Sequence, residues 1–98
     1  MERLLAGAIN DKQLVEFTYN GHLRIAEPHV LGLKSGKLQL LGFQVGGSSS
    51  TGGLPEWRRF DVQRTRGLRV LPQEFHGART IPTGQHNTWD RRIAVVAP

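Results

Sequence analysis

At 98 residues with no cysteine, the chain has room for one domain and no disulfide framework, thiol nucleophile or cysteine-based zinc site, so packing has to stabilise it. Its 38% apolar and 21% charged content is that of a soluble globular protein. No apolar run approaches the roughly 18 residues of a membrane span, and Met1–Ile9 lacks a signal-peptide core, so the expectation is a cytoplasmic protein with no membrane partner.

Leu4, Leu5, Ala8 and Ile9 recur at helical spacing, which predicts a short amphipathic helix from Glu2 to about Asn10 lying over the core. In Gln13–Tyr19 the alternation of Val15, Phe17 and Tyr19 with Leu14, Glu16 and Thr18 is the period of a half-buried strand. Asn20-Gly21 follows at once, and both residues tolerate the positive φ of a tight hairpin turn. The returning strand is expected from His22 to about Val30, with a bend, a bulge or an edge position at Pro28, which has no N–H to give to a ladder.

Lys34-Ser35-Gly36 predicts a second turn, leading into Lys37–Val45, which is apolar enough on both faces to be a central strand, kinked at Gly42. Gly46–Gly53, GGSSSTGG, has the composition of a flexible surface loop. Trp57–Leu71 then holds five arginines, Arg58, Arg59, Arg64, Arg66 and Arg69, against one acid, Asp61, so +4 of the chain's net +5 is concentrated there. Two short strands, about Trp57–Asp61 and Leu68–Leu71, are expected to flank an arginine-bearing turn. After Pro72 the pattern breaks into an irregular arm anchored by Phe75, Ile81 and Trp89, and Arg91–Val96 fits either a strand or a helix.

Five short strands and one helix predict a mostly β protein, a small antiparallel barrel or highly curved sheet. Residues 1–75 are expected to form the barrel with its helix, and residues 76–98 an arm packed on the same domain.

The order of AIND-KQLVEFTY, HLRIAEPHVLG, GKLQLLGF and WRRFDVQRTRGLRVL resembles the WYL domain, a bacterial regulatory module similar in fold to Sm and SH3-like barrels. The likeness runs from Leu5 to Phe75, about three quarters of the chain. It rests on Tyr19 ending the first strand, the R-x-x-x-P pattern of Arg24 and Pro28, and the F-x-x-x-R pattern of Phe60 and Arg64. The Trp-Tyr-Leu positions align with Leu38, Gln39 and Leu40, so only the leucine is kept and the ligand is expected to differ from that of better-known members. The resemblance implies a ligand-sensing or nucleic-acid-binding module in transcription regulation. The winged-helix DNA reader usual upstream in that family is not expected within these 98 residues.

On a bent sheet, Arg24 is expected to share a surface with Arg58, Arg59 and Arg64, with Tyr19 and His29 nearby. Guanidinium groups give bidentate, charge-assisted hydrogen bonds to phosphate, and Tyr19 or His29 can stack on a base. Arginine is also an ordinary outward-facing strand residue, and Asp61 and Glu27 are alternative partners for Arg64. The four histidines lack metal-ligand spacing, GLKSGK at Gly32–Lys37 lacks the length and hydroxyl of a P-loop, and Ser48–Ser50 has no histidine at a fixed offset. No cofactor, metal or catalytic constellation is therefore expected.

The reading is a non-catalytic regulatory module that binds an anionic small molecule or single-stranded nucleic acid through an arginine-lined pocket. The alternative is a protein-interaction or dimerisation module, a homodimer or a partner of a separately encoded transcription regulator, using its tail as the contact.

Overall fold

The computed structural model describes residues 1–48, 53–81 and 88–98. Helix α1, Glu2–Asp11, turns Leu5, Ala8 and Ile9 onto the sheet, and all three are buried. Lys12 ends it in the left-handed region at φ 55°, where its N–H caps the last turn. Strands β1 (Gln13–Tyr19) and β2 (His22–Lys34) are joined by Asn20 and Gly21, both at positive φ, as a two-residue hairpin of primed type requires. Ser35 and Gly36 repeat the device between β2 and β3 (Lys37–Gly47). Strand β4 (Glu56–Asp61) passes through a single 3-10 turn, Val62–Arg64, into β5 (Arg66–Glu74), and β6 (Arg91–Val95) completes the set.

All pairings are antiparallel, in the order β4-β3-β2-β1-β5, with β6 added against β2. The long strand β2 organises this arrangement. Its residues His22–Ala26 pair with β1 and its residues Val30–Leu33 pair with β6, while β3 runs along almost its whole length. The change of partner falls around Pro28, which has no N–H to give, and the ladder to β3 slips between Pro28 and Val30. Gly42 lies opposite Pro28, and a Cβ added there would come within 3.3 Å of the Ala26 Cβ, so the two strands approach too closely for a larger residue to fit without movement.

The core lies between α1 and the concave face of the sheet: Leu5, Ile9, Val15, Phe17, Leu31, Leu40, Phe60, Val62 and Val96 are all buried. Phe60 sits edge-on to Phe17 at 4.9 Å and to Tyr19 at 5.0 Å, the offset geometry that aromatic quadrupoles favour. Truncating a phenylalanine buried like these typically costs about 3–5 kcal/mol.

Two expectations are corrected. The sheet has six strands rather than five, because β6 gains backbone partners on β2 that a six-residue stretch does not reveal by itself. The tail is accordingly not irregular throughout. The antiparallel sheet is as expected, and among the described residues no ladder joining β4 to β5 is seen to close it into a barrel. Of the expected Gly46–Gly53 loop, Gly46 and Gly47 belong to β3, while residues 49–52, like 82–87 of the arm, lie outside the described residues. No described helix is long and apolar enough to cross a membrane.

Candidate anion-binding site

A cavity of about 560 Å³ opens where the end of β1, the start and end of β2, and β4 converge. It is lined by Tyr19 and Asn20, by Arg24 and Lys34 of β2, by Gln39, by the run Trp57–Phe60 of β4, and by Thr88. Four of these residues are cationic and none is acidic. Register explains the convergence: Arg24 is paired with Phe17 on β1, and Gly42, Leu41 and Leu40 of β3 carry Arg58, Arg59 and Phe60 of β4.

Arg24 is the deepest of the cations, at 4% exposure. Its guanidinium donates to Gln44 Oε1 at 3.3 Å and to the Tyr19 carbonyl at 3.2 Å, and its carbon centre lies 5.8 Å from the centroids of both the Tyr19 and Phe60 rings. Its Nε is buried with no hydrogen-bond partner among the described residues. None of the eight acidic residues reaches it: Glu16 pairs with Arg69, Glu27 with His29 and Arg79, Glu56 with Arg58, and Asp61 lies 3.9 Å from Arg64, while the segments 49–52 and 82–87 contain no Asp or Glu. Burial, reinforced by the charge of Arg58, pushes its pKa below the ordinary arginine value. Gln44 is itself fully buried and holds its amide in place by donating to the Gly46 and Ser48 carbonyls, at 3.0 and 3.1 Å.

Around this floor the walls are partly tied. Arg58 donates to Glu56. Arg59 donates to Gln39 Oε1 and to the Thr88 carbonyl, both at 3.1 Å, with its guanidinium 4.1 Å from the Trp89 ring, and burial lowers its pKa too. Gln39 in turn donates to Asp61 Oδ1 at 2.8 Å, and the Tyr19 hydroxyl accepts the Asp61 N–H at 3.1 Å, so the side of the cavity next to β4 is held by a continuous polar network.

The structure thus brings Tyr19, Arg24, Arg58 and Arg59 to one cavity. Arg64 stands beside it: exposed, it donates to the lining residue Asn20 and reaches within 5.0 Å of the Tyr19 ring, so Arg24 and Arg64 approach the same aromatic side chain. His29 is not brought there. It is fully buried, with Nε2 3.3 Å from Glu27 Oε1 and its ring packed against Trp57 at 4.7 Å and Phe75 at 5.4 Å. In this arrangement it supports a lining residue and offers no surface on which a ligand can stack.

Lys34, Gln39, Asn20, Trp57, Phe60 and Thr88 also line the cavity, though none was singled out as a site residue from the sequence. In the sequence Lys34 belongs to a turn and Trp57 opens a strand, and their meeting depends on the ladder between β3 and β4. Gln44 had a visible signal, a polar residue in an otherwise apolar strand. Among the described residues no group of three or more His, Asp or Glu side chains is placed to hold a metal. Compared with family models, with curated proteins and with solved structures, the chain finds no match, and its site is described by its own geometry.

Proposed function

We propose that the protein is a non-catalytic regulatory binding module of WYL type that recognises an anionic ligand, a nucleotide or single-stranded nucleic acid, in the cavity floored by Arg24. The strand path β5-β1-β2-β3-β4, with a 3-10 turn before β5, is compatible with the Sm and SH3-like fold that the WYL resemblance implies.

One observation carries the functional reading: an arginine at 4% exposure, with no carboxylate and no Nε partner among the described residues, at the bottom of a cavity whose other charged residues are also cations. An unpaired buried cation costs several kcal/mol in a folded protein. A bound phosphate would compensate that cost through charge-assisted hydrogen bonds, and the half-buried Trp57 ring at the wall suits a base. Fluorescence anisotropy with a labelled single-stranded oligonucleotide and with a labelled mononucleotide tests this. Affinity for the oligonucleotide should fall between about 50 and 200 mM salt, with a slope set by the number of phosphates neutralised. Absence of binding by both probes at micromolar protein would retire the reading.

A further inference from the structure

We infer that the group seated on Arg24 is a terminal phosphate, a phosphomonoester, rather than the internal diester of a continuing strand. The inference rests on the anion-binding reading above and narrows it to a class of ligand. Three observations point to it.

The first is access. Arg24 is enclosed by the Tyr19 and Phe60 rings, by Gln44 and by the Tyr19 main chain, and only 4% of it is exposed. A diester phosphorus carries two chains, one arriving and one leaving, and both need a way past these walls. A monoester needs one exit and presents three oxygens to the floor.

The second is charge. The lining holds four cations and no acidic residue, with Glu56 bonded to Arg58. The local balance is positive and is met less fully by a diester's single negative charge. It suits a monoester, which carries about −1.5 to −2 at neutral pH.

The third is the fixed geometry of the floor. Gln44 and the Tyr19 carbonyl already take one N–H from each terminal nitrogen of Arg24, and among the described residues nothing takes the Nε–H. Together with an N–H of the adjacent terminal nitrogen, the Nε–H would make the two-pronged edge that matches two oxygens of one phosphate. The cavity, at about 560 Å³, is in the size range of small-ligand sites, and Trp57 and Tyr19 stand at its wall for the base or other flat group that the phosphate carries.

The test is isothermal titration of the full chain with adenosine 5′-monophosphate, its methyl phosphate ester, inorganic phosphate, and a short single strand bearing either a 5′-phosphate or a 5′-hydroxyl. Esterifying the terminal phosphate should weaken binding at least about tenfold, as should removing it from the strand. In Arg24→Met the difference between monophosphate and methyl ester should vanish, because the coupling belongs to that contact. Arg24→Gln, with circular dichroism to check the fold, serves if the methionine variant is poorly behaved. Equal affinity for monoester and diester in the native chain overturns the inference while leaving an anion site in place; no binding by any probe overturns the anion-binding reading and this inference with it. Binding by inorganic phosphate and the mononucleotide alone assigns the site to a small molecule, whereas tighter binding by the 5′-phosphorylated strand assigns it to a strand end.

Discussion

Arg24 and Glu27 are three residues apart on the same strand, both are buried, and both carry a charge, yet the fold treats them in opposite ways. Glu27 is closed by the chain itself. Arg79 grips it with two hydrogen bonds of 2.7 and 2.9 Å, His29 approaches from the other side, and Arg79 is stacked 4.3 Å over Phe43. Arg24 has an amide, a backbone carbonyl and, among the described residues, no partner for its Nε. A buried charge with all its bonds made from within fastens one segment to another; a buried charge left incomplete beside open space is where a ligand completes the structure. The first cluster therefore belongs to the architecture, tying the arm after Phe75 to the bend in β2. The second is the one proposed above to hold a ligand.

Substitution at each arginine should separate the two kinds of cluster, because stability and binding ought to respond in opposite proportion. The largest effect is expected for Arg24→Met. Losing two charge-assisted hydrogen bonds should weaken phosphate-ligand binding about a hundredfold, near 2.7 kcal/mol. Replacing an unpaired buried cation by an apolar side chain should leave the urea midpoint unchanged or raised, within about 1 kcal/mol. A midpoint that falls by more than this would mean that Arg24 is as structural as Glu27, and the contrast would collapse.

Arg79→Ala is expected to do the reverse at somewhat smaller scale. It strands the Glu27 carboxylate at 5% exposure with only His29 beside it. Breaking a fully buried pair costs about 3–5 kcal/mol, and because the Arg79 side chain is half-exposed a loss of about 2 kcal/mol is the reasonable figure here. Affinity for the ligand should hold within about twofold, since Arg79 does not line the cavity. Loss of binding in a variant that remains folded would show that the two clusters are coupled, with Trp57 as the link.

How far these clusters could be read in the sequence follows from the range of the contacts that build them. The hairpin turns Asn20-Gly21 and Ser35-Gly36 are dictated by adjacent residues, and they fix the positions of Tyr19, Arg24 and Lys34 at strand ends. Tyr19 on β1, Arg24 on β2 and Arg58 and Arg59 on β4 were accessible to reasoning because strands consecutive in an antiparallel sheet lie side by side. The Glu27 cluster was not: Arg79 is 52 residues away, on an arm without strong periodicity, and β6 reveals itself only by pairing with the far half of β2. The same missing information misplaced His29. Its position on the pocket strand suggested exposure, but the change of partner at Pro28 lets β6 and Phe75 cover it.

The buried histidine gives the comparison a pH dependence confined to the structural cluster. Burial holds His29 below its ordinary value of 6.5, against the opposing pull of Glu27, and the Arg79 charge lowers it further. The unfolded chain therefore takes up the proton first as pH falls. Stability should be complete above about 6.5 and decline as the solution is acidified through the folded-state value. Glu27 acts in the same direction in a lower window. Burial raises its pKa, but the hydrogen bonds from Arg79 and His29 outweigh that and hold it below 4.5, so its contribution is lost only at pH values beneath that. His29→Phe keeps an aromatic ring between Trp57 and Phe75 and leaves Glu27 to Arg79, so its urea midpoint should be flat between about pH 5 and 7, where the native chain's slopes. This is the smallest of the three effects, because Glu27 offsets part of the burial penalty. If His29→Phe retains the native slope, the titrating group is one of the other histidines and the cluster is not the source of the pH response.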